Sequence, residues 1–227
     1  MNLMYHSITI NADPRPASQF HRNKYTVHVD QLADHVRRCE GQDVVFTFDD
    51  GHVSIHEHAY PLVVNRVKTI LFISLDFVGT ANWLSAAQLR EMHGRGVAIA
   101  GHGCGHLNLA SLPAAQLKHE LEHSRRGLED IIGSEVTAMS LVGGHYNRRV
   151  LEAARDVGYE TIYSSEPVAG VTRHGLHGRV CVYWTTTGDE IDAYRQGRVS
   201  RQMQLAYYLK RPLKCLLAER VRRKHSG

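Results

Sequence analysis

Two carboxylates stand side by side in Thr47-Phe48-Asp49-Asp50-Gly51, directly after the apolar run Val44–Phe48. Like charges this close raise one another's pKa and cannot both be buried cheaply. A bound cation removes the difficulty by holding one carboxylate ionised and leaving the other free as a base. Alone, Asp-Asp-Gly reads equally well as a plain turn. A second cluster changes that balance. The apolar run Val97–Ala100 ends in Gly101-His102-Gly103-Cys104-Gly105-His106. His102 and His106 are four apart, the spacing that puts two imidazoles on one face of a helical turn. An Asp with two His, leaving open positions for water, is a familiar donor set for catalytic zinc or a similar divalent ion. His52 and His56 share the spacing and read as a solvated face, and Cys104 as a small packing residue.

A third strand end agrees. Ala138–Val142 runs into Gly143-Gly144-His145-Tyr146-Asn147. Such a turn presents backbone N–H groups that suit a developing oxyanion, or it is an ordinary strand-to-helix connection. Sites of α/β barrels gather at the C-terminal ends of their strands, where all three clusters fall.

The elements that must carry these clusters are short. Strands are expected at Leu3–Thr9, Val44–Phe48, Thr69–Ser74, Val97–Ala100, Ala138–Val142, Glu160–Tyr163 and Val180–Trp184, each β-branched or aromatic and bounded by Gly, Asp or Ser. Ser85 and Gln88 form a capping-box pattern that opens a helix ended by Gly94 or Gly96. Leu117, Leu121, Leu128, Ile131 and Ile132 make a helical stripe stopped by Gly133, and Val150, Leu151, Ala154 and Val157 another before Gly158. Strands separated by helices imply crossovers and a largely parallel α/β sheet or barrel.

The whole chain, 227 residues and 43% hydrophobic, suffices for one sizeable core and excludes collagen-like and wholly disordered classes. No run approaches the length that spans a bilayer. The opening Met1-Asn2-Leu3-Met4-Tyr5-His6 lacks the charged start and long apolar stretch of a signal peptide, so a cytoplasmic protein is expected. Four scattered cysteines suggest neither a disulfide framework nor a zinc knuckle. The net charge of +4 hides an asymmetry: residues 195–227 hold ten Lys/Arg and one acid, leaving a balance of −5 on the rest. Leu205, Tyr208, Leu209, Leu213, Leu216, Leu217 and Val221 recur among those basic residues at helical spacing, broken by Pro212. A basic amphipathic pair of helices is expected there, suited to an anionic membrane surface or to docking on the body. No nucleic-acid-reading motif accompanies the charge, and no nucleic-acid partner is expected.

TFDDG, then HxxxH about fifty residues on, then a strand entering a turn that ends Tyr146-Asn147, resembles the polysaccharide deacetylase family (the NodB-homology domain, carbohydrate esterase family 4). The opening Leu3-Met4-Tyr5-His6-Ser7-Ile8 is similar to the first strand of many members. The similarity runs from about residue 3 to residue 167. It implies an α/β fold, a distorted (β/α)7 barrel over residues 1–194 with the basic helical tail at 195–227. It also implies metal-dependent removal of N-acetyl, less often O-acetyl, groups from glycans. Carried over by motif, Asp49 is the general base, and Asp50, His102 and His106 bind a divalent metal, with zinc expected. Gly143 and His145 fall where oxyanion and substrate are bound.

The departures are specific. Gly103 stands where the family has Ser or Thr. The arginine that orients the base is absent from Ser140-Leu-Val-Gly-Gly144, where Gly143 replaces a tyrosine whose N–H binds the oxyanion. Val180–Trp184 lacks the late histidine that acts as general acid, leaving His6, His145, His174 and His177 as alternatives. The expected activity is deacetylation of an N-acetylated sugar precursor or lipid-linked glycan, in the cytoplasm or at the inner membrane face. The competing reading keeps the fold without catalysis, as a degenerate protein that binds glycan or a biosynthetic partner.

Overall fold

The computed structural model describes residues 1–11 and 23–209. Its strands are β1 (Asn2–Tyr5), β2 (Ser7–Thr9), β3 (Thr26–His28), β4 (Val45–Asp50), β5 (Lys68–Ile73), β6 (Ala98–Gly101), β7 (Ala138–Ser140), β8 (Thr161–Tyr163) and β9 (Val180–Cys181). Its α-helices are α1 (Val29–Cys39), α2 (Tyr60–Val63), α3 (Ala86–Gly94), α4 (Ala114–Ile132), α5 (Arg148–Asp156) and α6 (Gly188–Arg195). Seven strands form one sheet in the order β8-β7-β6-β5-β4-β1-β9, with every pairing parallel. A parallel bridge between Tyr163 and His177, three residues before β9, brings the chain back to β8 and curls the sheet into a nearly closed barrel. The distorted (β/α)7 architecture expected from the sequence is therefore present.

Alternation along the strands divides the apolar residues between two faces. Phe46, Phe48, Leu71, Ile73 and Ile99 face the helices and join the main core, where Tyr5 stacks on Phe46 and Phe48 at 5.3 Å each. Phe72, Ala100 and Tyr163 form a separate, smaller cluster with Ile70 and Ala138 on the inner face. Thr47 and Asp49 share the parity of that face on β4. The helices end as the sequence signals. Ser85 and Gln88 close a reciprocal capping box at the start of α3, and Gly133, at φ 69°, takes the left-handed position after α4.

Three expectations need correction. The strand expected over Leu3–Thr9 breaks at His6: β1 stays in the main sheet, while β2 pairs with β3 in a separate two-stranded parallel sheet. The strand from Val44 continues through Asp49 and Asp50 instead of stopping at Phe48, because both pair with β5. The strand expected over Val180–Trp184 ends at Cys181, and a turn closes from Tyr183 to Thr186. Helix α6 straddles residue 194, and Val199 and Met203 pack against the main core. Helical backbone at 201–209 follows; Leu213, Leu216, Leu217 and Val221 lie outside the described residues. Among the described residues no helix is long and apolar enough to cross a membrane.

Candidate metal and catalytic site

Asp50 ends β4 with φ 73°, a left-handed conformation that turns its carboxylate toward the segment after β6. There His102 and His106 converge on one oxygen: their Nε2 atoms lie 3.2 and 3.0 Å from Asp50 Oδ1. One ligand atom from each of the three residues lies within 4.8 Å of the others, and among the described residues this is the only such group of three or more. The two histidines do not share a helical face, as their spacing suggested. They sit on an irregular loop bent at Gly103 (φ 74°) and at His106 itself (φ 55°).

Neighbours hold that loop in place. His102 Nδ1 is 2.6 Å from Ser140 Oγ and 3.1 Å from the Ser140 carbonyl. Donation from Nδ1 to the Ser140 hydroxyl, the nearer acceptor, leaves the ring lone pair on Nε2, aimed at the cluster. From α4 the buried Glu120 carboxylate accepts the N–H groups of Cys104 (2.8 Å) and Gly105 (3.3 Å). A Cβ at Gly103 would lie 3.2 Å from that carboxylate, in a backbone conformation side chains rarely adopt. The glycine that departs from the family pattern thus makes room for Glu120. Cys104 is buried, its thiol pushed up to about 12 by burial and then by the nearby Glu120 and Asp76 charges, as a packing residue should be. Two imidazoles and a carboxylate facing one point suit a divalent metal.

Burial alone would depress His106. Its hydrogen bond to Asp50, with the charges of Asp50 and Asp49, outweighs that and holds its pKa above the ordinary value.

Asp49 points elsewhere. Arg179, wholly buried, grips both its oxygens, Nη1 to Oδ1 at 2.5 Å and Nη2 to Oδ2 at 2.9 Å. The guanidinium also donates to the Ser164 carbonyl and to Thr47 Oγ1, and lies 4.9 Å from the centre of the Phe72 ring. Burial is the largest influence on Asp49 and pushes its pKa up. The charges of Arg179 and His102, the Arg179 hydrogen bonds and the charge of His6 overcome it, and the carboxyl stays below its usual range. The mutual raising expected of two adjacent aspartates is thus overridden by a buried cation. The sequence pattern pointed instead to Ser140, at the end of β7, for this arginine. Its one signal was an arginine placed immediately before the apolar Val180-Cys181-Val182.

The alternatives for the acid separate by place. The β1–β4 register pairs Tyr5 with Phe48, so His6 follows β1 beside Asp49. Its ring lies 4.7 Å from that of Tyr25. His174 is exposed and edge-on to Tyr146, and His177 lies against Tyr163 where the barrel closes. Gly143 (φ 60°) sits in a tight turn after β7, closed by the Gly144 and His145 N–H groups on the Leu141 and Val142 carbonyls. The His145 ring lies over Gly143, whose added Cβ would come within 2.9 Å of it. His52 hydrogen-bonds Ser54, and His56 meets Glu91 and Gln88 away from this cluster.

A sequence profile of the polysaccharide deacetylase family matches residues 37–162. A Bacillus subtilis (strain 168) protein named "Putative polysaccharide deacetylase YxkH" is 28% identical over 207 residues, covering 85% of this chain and 74% of its own. Among the solved structures that share the fold are two deacetylases. The Streptococcus pyogenes deacetylase PplD, in complex with acetate, superposes with a TM-score of 0.76 at 18% identity, covering 88% of this chain and 97% of its own. A de-N-acetylase from Aggregatibacter actinomycetemcomitans does so with 0.73 at 16% identity, covering 85% and 98%.

Proposed function

Because the chain belongs to the polysaccharide deacetylase family, we propose that it is a metal-dependent hydrolase removing an N-acetyl group from amino-sugar units of a glycan or lipid-linked precursor. One observation carries this reading: a metal-suited cluster and an arginine-held carboxylate stand on adjacent residues at one strand end. Asp50, His102 and His106 would hold the cation, most suitably zinc, which when bound polarises a carbonyl and makes water more acidic. Asp49, kept ionised, takes the proton of the attacking water. Arg179 fixes the plane of that carboxylate and takes no proton. The Gly143 N–H would stabilise the oxygen on which negative charge develops, and His145, whose ring lies over Gly143, would contact the substrate. An amine leaves readily only after protonation, and His6, beside Asp49, supplies the proton. That requirement is weaker for an ester, which favours the amide.

The degenerate reading drew its force from a missing arginine and a missing histidine. The Arg179 grip on Asp49, with His6 beside it, supports the catalytic reading over the degenerate one. Acetate release from N-acetylglucosamine oligomers tests the proposal: zinc-loaded protein should release acetate, chelator-treated protein should not, and zinc should restore the rate. Release unaffected by chelation, or none with zinc bound, overturns it.

The place of action is part of the same proposal. Residues 195–227 are strongly basic, and on the 201–209 helix Leu205 and Leu209 are 60% and 63% exposed. Apolar residues beside lysine and arginine suit an anionic bilayer surface, and anionic lipid is characteristic of the cytoplasmic leaflet. Gln204 on this helix donates to the Pro167 carbonyl, in the loop that follows β8. A tail on the membrane would thus hold that rim near a lipid-linked glycan.

A further inference from the structure

Helix α4 buries Leu117, Glu120, Leu121, Ser124 and Leu128 along one side. Its other side carries His119 and His123, both exposed. The four-residue spacing that gives no helical face to His102 and His106 does give one here, because these two histidines lie inside a helix. Their ring centroids are 5.1 Å apart and their planes 13° from parallel. Among the described residues neither ring makes a hydrogen bond or an ion pair. The pair adds nothing to the core, and the chemistry above does not use it.

Its separation almost equals the 5.2 Å between the His102 and His106 rings, which converge on Asp50. An ion about 2.0–2.1 Å from one nitrogen of each ring sets the two centroids roughly 5 Å apart. Stacked rings do not share a point in both planes, so one must rotate about its Cβ–Cγ bond. An exposed side chain does so freely. Glu122, between the two in sequence, is engaged by Arg126 at 2.9 Å, which leaves the imidazoles as the donors and water for the open positions. Nitrogen donors without a carboxylate favour late divalent transition ions, Cu²⁺ before Zn²⁺, and do not suit Mg²⁺ or Ca²⁺.

We infer that His119 and His123 form a metal site separate from the Asp50 cluster, a two-imidazole clip for such an ion. It closes over the turn of α4 whose inner face carries Glu120, the carboxylate that accepts the Cys104 and Gly105 N–H groups. Two donors hold an ion less firmly than three, so this one exchanges and is lost on desalting. The inference does not depend on the deacetylase reading.

Electron paramagnetic resonance of zinc-loaded protein with one equivalent of Cu²⁺ reads the donors directly. Unsubstituted protein should show hyperfine coupling to two imidazole nitrogens. His119→Ala and His123→Ala should each lose that signal and bind Cu²⁺ at least about tenfold more weakly, because the second bond of a chelate forms intramolecularly. Alanine is the best helix former and both positions are exposed, so both proteins should stay folded by circular dichroism. Adding Lys118→His to His119→Ala restores the number of histidines but spaces them five apart, on different faces, and should not restore binding. Zinc retained after desalting should be the same in all four proteins. Equal Cu²⁺ binding with and without the substitutions, a loss with only one of them, or recovery with Lys118→His overturns the inference. So does a fall in retained zinc, which would make the pair part of the Asp50 centre.

Discussion

Asn at position 49 keeps an oxygen for Arg179 and the shape of the side chain, but loses the ability to take a proton. Asp49→Asn is therefore expected to bind metal as before and to lose roughly 10²–10⁴-fold in rate. Loss of metal together with activity would make Asp49 a ligand. The arginine has a different signature. Removing it in Arg179→Leu strands a buried carboxylate, a change that costs about 3–5 kcal/mol when a buried pair is broken. With the cation gone, burial dominates and the Asp49 pKa rises, so the acid limb of the kcat/KM profile should move to higher pH. The sign of the stability effect follows from the depressed carboxyl. Asp49 contributes stability above its ordinary, unfolded pKa, and that contribution disappears as pH falls through the lower folded value. Acid unfolding of the wild type should show this loss, and Arg179→Leu should lack it. A pH profile unchanged by the substitution would sink this role for the arginine. Asp49, Asp50, His102 and His106 were legible because chemistry restricted their types and spacing. Arg179 was not, because it comes from the residue just before β9, 130 positions along the chain, and enters through the barrel interior.

The segment from Gly101 to Asn108 shows what spacing alone misses at the scale of an element. His-x-x-x-His suggested a helical turn, yet left-handed backbone at Gly103 and His106 gives the convergence without one. Ser140 and Glu120 keep that loop in shape from β7 and α4. Ser140→Ala should weaken metal binding roughly ten- to hundredfold, the usual effect of losing a ligand's supporting partner. A competition titration with a chromogenic chelator measures it, and an unchanged affinity would remove Ser140 from the account. The break at His6 was likewise invisible. Leu3–Thr9 alternates well enough for one strand, and only the pairing of β2 with β3 shows that His6 is where the chain leaves the main sheet.

For the whole molecule, the order of strands and helices was readable from period and punctuation, and the parallel barrel follows from crossover connections. Closure through His177 was not readable, since an isolated bridge leaves no pattern in the sequence. The charge asymmetry was readable and leads to a test. Leu205→Asp with Leu209→Asp should abolish co-sedimentation with anionic vesicles while the melting temperature stays unchanged, because both side chains are exposed. Binding by the unsubstituted protein should weaken with salt, since surface charge is screened over about 8 Å at physiological ionic strength. Unsubstituted protein that ignores anionic vesicles at low salt rules out the membrane placement.

Asp50, His102 and His106 are proposed to form a metal centre beside a base, Asp49, that is not part of it. Metal content per chain, measured by elemental analysis on unsubstituted protein, Asp49→Asn and His106→Ala, tests that most directly, with circular dichroism to show that each is folded. The prediction is bound zinc in the first two and none in the folded His106→Ala protein. Equal metal in all three would contradict it.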